Sequence, residues 1–148
     1  MSLYSQITDD MKSAMKAGEK SRLEVIRFLL SGLNSSLKEK QLKDPAATLS
    51  DEETLSIIQK EAKKHRESIE LFRKGNREDL ASKEEAELAM IATYLPTQMS
   101  REEVEKTVAD LYAAGNTEFK TLIRAASEAT KGKADGKLVV ELVKAKTG

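Results

Sequence analysis

Between residues 23 and 37 the apolar side chains fall at Leu23, Ile26, Leu30, Leu33 and Leu37, in alternating steps of four and three. That spacing follows the α-helical turn and lines all five along one stripe, the kind of seam through which two helices pack. A strand would need alternation with period two, so this stretch does not read as sheet. The seam recurs from Asp51 to Lys74 as Leu55, Ile58, Ala62, His65, Ile69 and Phe72. Only 7 Gly and 2 Pro in 148 residues are available to interrupt such helices. Aromatics, at 4%, are too few for an ordinary β-sandwich core. The expectation is an all-α protein.

Seven helices follow from the same periodicity. The first, about Leu3 to Lys16, sets Ile7, Met11 and Met15 four apart; the second runs from about Ser21 to Lys40. Asp44-Pro45-Ala46-Ala47-Thr48 breaks the pattern. Ser50 with Glu53 then forms a capping box that opens the third helix. Gly75-Asn76 reads as its C-cap, with Gly75 as the stop. The fourth helix, about Arg77 to Tyr94, offers Leu80, Leu88, Ile91 and Leu95, with Glu84 on the same stripe. So short a turn predicts an antiparallel hairpin of helices three and four. Tyr94-Leu95-Pro96-Thr97-Gln98-Met99 marks a boundary, and Ser100 with Glu103 is a second capping box. Three short helices follow, about Arg101 to Ala113, Glu118 to Thr130 and Asp135 to Lys146. Their apolar positions are Val104, Val108 and Leu111, then Phe119, Leu122 and Ile123, then Leu138, Val139 and Leu142. The organisation expected is an N-terminal four-helix hairpin or bundle over residues 1–95 and a C-terminal three-helix bundle over 96–148. Met11, Met15, Met90 and Met99 are expected to fill core.

Charge sums to zero, 25 basic against 25 acidic residues, so no global field draws the chain to nucleic acid. The balance is segregated, however. Ile57 to Arg77 carries seven Lys/Arg against three Asp/Glu; Glu78 to Glu87 carries five acids and one Lys; Lys120 to Gly148 again carries seven against three. With no Cys there is no thiol nucleophile, thiolate metal site or disulfide. One His, His65, removes two-histidine metal motifs, and neither GxxxxGK[ST] nor GxGxxG occurs. No apolar run approaches the ~20 residues of a membrane span, and Met1 to Gln6 lacks the layout of a signal peptide. The expected location is the cytosol. No catalytic residue, metal ligand or cofactor is expected.

Several fragments, in order, resemble the YqeY family. They are Asp10-Met11-Lys12-Ser13-Ala14-Met15-Lys16 with Arg22-Leu23-Glu24-Val25-Ile26-Arg27, and Gln59 through Ile69. Gly75-Asn76-Arg77-Glu78-Asp79-Leu80, Glu84-Glu85-Ala86-Glu87-Leu88 and Tyr94-Leu95-Pro96 follow, and Lys131 through Val139 completes the set. That family is similar to the tail domain of the B subunit of glutamyl- and aspartyl-tRNA amidotransferases. The resemblance implies a helical domain followed by a three-helix domain, and an association with tRNA. A carbon–nitrogen ligase activity with glutamine as amido donor is also attached to the family. The nucleotide motif and glutaminase nucleophile that such chemistry needs are missing from this sequence.

Two basic segments are the candidate binding sites. In the first, Lys131, Gly132, Lys133, Gly136 and Lys137 surround the start of the last helix. Backbone N–H groups there, with three lysines, suit a phosphate. Asp135 is a competing N-cap, and Gly136 is read as keeping the helix entrance uncluttered; the alternative is an ordinary helix–turn–helix corner with solvated lysines. In the second, Lys60, Lys63 and Lys64 share one helix face as a phosphate track. The alternative is that they pair with Glu78, Glu84 and Glu87 across the hairpin. His65 falls on the apolar seam and is expected to pack there, partnered by Glu84 or Glu87. The leading function is an accessory tRNA-binding module that grips backbone phosphates. A protein-interaction adaptor, docking for instance on a tRNA-processing or aminoacylation-related protein, is the competing reading, and amide transfer ranks last.

Overall fold

The computed structural model describes residues 1–148, and all its regular elements are α-helices. They are α1 (Leu3–Ala17), α2 (Lys20–Lys43), α3 (Asp51–Lys74), α4 (Glu78–Ala92), α5 (Arg101–Ala113), α6 (Phe119–Ala129) and α7 (Gly136–Thr147). The chain divides into two compact units, Met1–Leu95 and Pro96–Gly148. No helix is long and apolar enough to cross a membrane.

Helix starts are set by side chains that satisfy the unpaired N–H groups of a first turn. At α3 the Glu53 N–H donates to Ser50 Oγ (3.1 Å) while the Ser50 N–H donates to Glu53 Oε1 (3.2 Å). At α5 the same exchange links Glu103 to Ser100 (3.2 Å) and Ser100 to Glu103 (2.9 Å). Lys40 Nζ reaches from the end of α2 to Glu53 Oε1 and to the Thr48 carbonyl, both at 2.7 Å. This hydrogen bond first, and then the Ser50 donors, hold the Glu53 carboxyl below its ordinary range.

The α3–α4 turn departs from expectation in one detail. Gly75 keeps φ −85°, and Asn76 takes the left-handed conformation at φ 59°. Asn is one of the few residues that enters this region at low cost. The Arg77 N–H then donates to the Phe72 carbonyl at 2.8 Å, the 6→1 bond of a Schellman closure. Arg77 itself stays outside the helix as its N-cap and pairs with Asp79.

In the first unit α1 packs on α2, and α3 on α4, as two hairpins, with α2 also meeting α3 and α4 and α1 meeting α3. The core comprises Ile7 and Ala14 of α1, Val25, Ile26, Leu29, Leu30 and Leu33 of α2, Leu49, Ile58 and Ala62, and Ile91 of α4. The buried stripe of α2 is broader than the seam expected for it. Val25 and Leu29 are buried, whereas Leu23 and Leu37 are only partly so. A helix with three neighbours buries more than one seam. Met15 is 52% exposed, a correction: α1 turns Ala14 inward in its place. The inward residues of α4 are Ala81 and Ile91, with Leu88 and Leu95 packed partly against them. Tyr94 closes the unit by donating its hydroxyl to Asp10 Oδ2 of α1 at 2.6 Å. Desolvation first, and then the Asp10 carboxylate, push this phenol well above its ordinary value.

The second unit is a three-helix bundle in which each helix packs on the other two. Its core is Val104, Val108, Leu122, Ala126, Val139, Leu142 and Val143. Phe119, expected inside, is 41% exposed at the first residue of α6, and Ala126 takes the inner position one turn after Leu122. The bundle spans 53 residues, counting 96 to 148, near the lower end of what folds without metal or disulfide. Thr130, 2% exposed, satisfies its hydroxyl by donating to the Ala126 carbonyl at 2.7 Å.

Candidate functional site

The lysines of α3 are placed by the same periodicity that builds the core. Ile58, Ala62, His65 and Ile69 point inward, so Lys60, Lys63 and Lys64 are carried to the exposed side. The alternative considered for them, pairing with Glu78, Glu84 and Glu87 of α4, does not form. Lys64 Nζ pairs within its own helix with Glu61 at 3.3 Å. Glu78 pairs instead with Arg73 at 3.2 Å, and Glu85 also pairs with Arg73. Glu84 and Glu87 turn to His65. The acids of the hairpin are therefore taken up by Arg73 and Arg77 at the turn and by His65 at the seam, which leaves the Lys60–Lys64 face exposed. The physical reason is reach: groups on the α4 face nearest α3 meet residues on the seam and at the turn, whereas Lys60 and Lys63 are carried away from it and Lys64, at the rim of that seam, is held by Glu61 of its own helix.

His65 is buried in the α3 seam with 8% exposure. Its Nδ1 lies 2.9 Å from the Glu61 carbonyl oxygen, one helical turn back. Its Nε2 lies 3.1 Å from Glu87 Oε2 and 3.5 Å from Glu84 Oε2. The two carboxylates are half-buried and sit three residues apart on α4, hence on one face. Phe28 of α2 meets the imidazole edge-on, ring centres 6.5 Å apart. A cavity of about 440 Å³ opens beside this group, lined also by Glu24, Glu61 and Lys64. The partnership of His65 with Glu84 and Glu87 is as expected from sequence; their convergence with a cavity is not legible there. The one available signal was a seam histidine facing a Glu-x-x-Glu pair across a tight hairpin.

In the second unit the 130–135 loop is held by its carbonyls. Gln98 Nε2 donates to the Gly132 oxygen (2.9 Å), and the Met99 N–H to the Lys133 oxygen (2.8 Å). Gly132 sits at φ 76°, the conformation a turn this tight demands and glycine supplies. Lys131, Lys133 and Lys137 are exposed around it. Asp135 caps α7 by accepting from the Lys137 N–H at 3.3 Å, so that donor is already committed to the cap. At Gly136, the first residue of α7, the space where a Cβ would stand is open.

Against known proteins, the chain matches the family model described as Yqey-like protein over residues 4–147. The chain belongs to the YqeY family. Among relatives of this YqeY chain, the Vanderwaltozyma polyspora protein named altered inheritance of mitochondria protein 41, mitochondrial, is 40% identical over 99 residues, 64% of this chain and 51% of that protein. A Pyrenophora tritici-repentis protein of the same name is 34% identical over 102 residues, 67% of this chain and 53% of that one. An uncharacterized Schizosaccharomyces pombe protein is 31% identical over 98 residues, 66% of this chain and 76% of that protein. The chain thus spans about half the length of the mitochondrial relatives it matches.

Proposed function

We propose that this YqeY-family protein is an accessory tRNA-binding module that holds backbone phosphates and performs no chemistry of its own on the RNA. The observation that carries the reading is the disposition of charge on α3. The acids of α4 are engaged by Arg73, Arg77 and His65, and Lys60, Lys63 and Lys64 are exposed on one side of a 24-residue helix. Lysines on such a face neutralise phosphates without reading bases, so the affinity they supply is sequence-independent and salt-dependent. The exposed Lys131, Lys133 and Lys137 around a loop fixed by Gln98 and Met99 offer a second point of attachment. The absence of cysteine removes a glutaminase thiol, which argues for holding tRNA over amide transfer. A cytoplasmic location remains part of the proposal, and tRNA is present both there and in the mitochondrial compartment for which two relatives are named.

The test is a titration of the full chain with total tRNA at two salt concentrations. Contacts to four to six phosphates predict a loss of roughly 10²- to 10³-fold in affinity between ~50 and ~200 mM salt. Replacing Lys60, Lys63, Lys64, Lys131, Lys133 and Lys137 by Ala flattens that dependence. No binding at the lower salt, or binding that ignores the six substitutions, overturns the proposal.

A further inference from the structure

The imidazole of His65 has a defined polarity. A carbonyl oxygen only accepts, so the 2.9 Å approach of Nδ1 to the Glu61 carbonyl requires a proton on Nδ1. In the neutral ring Nε2 then carries a lone pair, and it faces Glu87 Oε2 at 3.1 Å and Glu84 Oε2 at 3.5 Å. Three lone pairs pointed at one another repel unless a positive species lies between them, either a proton on Nε2 or a metal ion that takes its place. The ring is buried, both carboxylates are half-buried, and the cavity alongside adds Glu24 and Glu61 against a single Lys64. The local charge is thus acidic, which favours a cation among the three groups.

We propose that His65, Glu84 and Glu87 form a site for one divalent transition-metal ion of the Zn²⁺ class, clipping α3 to α4. The three ligand atoms lie within 4.8 Å of one another. Zn–N and Zn–O bonds of 2.0–2.2 Å in a tetrahedron place ligand atoms about 3.4 Å apart, and the two Nε2–oxygen separations, 3.1 and 3.5 Å, bracket that value. A metal-bound imidazole characteristically donates its other N–H to a carbonyl, which fixes the ring and its tautomer; the Glu61 oxygen does this here. One imidazole with two carboxylates suits Zn²⁺, Mn²⁺, Fe²⁺ or Co²⁺, whereas Mg²⁺ and Ca²⁺ favour all-oxygen sets. Three protein ligands leave a fourth position, and the cavity of about 440 Å³ gives it access to water or a small anion. Lys64 belongs both to the lysine face and to the rim of this cavity, but none of the three ligands is a lysine, so Zn²⁺ binding by the full chain tests the site without reference to tRNA.

His65 is the one histidine in the chain, so its ring signals are unambiguous in a ¹H–¹⁵N spectrum. Titration of the full chain with ZnCl₂ against a chromophoric chelator is expected to give one ion per chain with micromolar or tighter affinity. The Nε2 resonance moves while Nδ1 keeps its proton, and MgCl₂ at the same concentration moves neither. Saturation at about a hundred times Kd raises the Tm of the first unit by roughly 10–20 °C. The Glu84→Gln, Glu87→Gln double variant, checked for unchanged helicity, loses at least 10-fold in affinity; Glu102→Gln in the second unit loses nothing. Absence of binding at ~1 mM Zn²⁺, an Nε2 resonance indifferent to Zn²⁺, or undiminished binding by the double variant overturns the site.

Discussion

In the first unit an imidazole and two carboxylates lie within the helical layer, beside Val25 and Ile91. In the second unit the interior is Val104, Val108, Leu122, Ala126, Val139, Leu142 and Val143, and its one buried polar residue, Thr130, bonds its own helix. The first unit has a core drawn from four helices, two of them 24 residues long, and so tolerates titratable groups at one edge. The second, with helices of 11 to 13 residues, keeps its charges on the surface, where Lys131, Lys133 and Lys137 sit. A larger apolar core offsets the desolvation of a polar cluster, and a minimal one cannot.

The largest expected effect comes from removing core atoms. Ile58→Ala and Leu122→Ala each delete a fully buried side chain and cost about 2–5 kcal/mol. In the first unit this lowers the denaturation midpoint and leaves a folded domain. In the second, where a small core supplies only ~3–5 kcal/mol in all, it unfolds the bundle. Denaturant melts followed by amide NMR separate the two outcomes. A single shared transition in both variants would break the comparison.

Next in size is the division of tRNA affinity between the two basic segments. Ala at Lys60, Lys63 and Lys64, or alternatively at Lys131, Lys133 and Lys137, is expected to weaken binding by ~10-fold or more at low salt. Each lysine that touches a phosphate reduces the salt slope by roughly one. Equal losses mean that both units hold RNA; a loss confined to one set assigns the work to that unit.

Ser50→Ala and Ser100→Ala each remove a capping-box acceptor and are expected to cost about 1 kcal/mol. The loss at Ser50 is the greater, because Glu53 also holds Lys40 there, whereas Glu103 at α5 bonds the cap alone. Thermal melts of the two variants compare them directly.

The smallest effect is confined to alkaline pH. Tyr94 in the folded first unit is raised above its ordinary 10.0, so the unfolded chain ionises first. The stability this hydroxyl contributes is present below pH 10.0 and is lost as pH rises above it. Tyr94→Phe removes that alkaline decline, measured as Tm against pH from 9 to about 11.

Much of the architecture was legible because helix signals are local. The Ser-x-x-Glu pairs located the starts of α3 and α5, and the spacing of apolar residues identified every helix, since both depend on neighbours within one turn. Side-chain choices that depend on non-local neighbours were less legible. Ala14 replaces Met15 in the core, Phe119 stays half outside, and Asn76 in place of Gly75 takes the left-handed turn.

By itself, then, the sequence determined the helices, their caps, the family and the missing thiol chemistry, because each rests on residue identity or on spacing within a turn. Only the tertiary structure decided which acids meet which bases. It took Glu84 and Glu87 to His65, gave Glu78 and Glu85 to Arg73, and left the lysine face of α3 to solvent. The rotation of α4 against α3 sets those distances, and it follows from how the buried side chains of the two helices pack, which no spacing along one helix encodes.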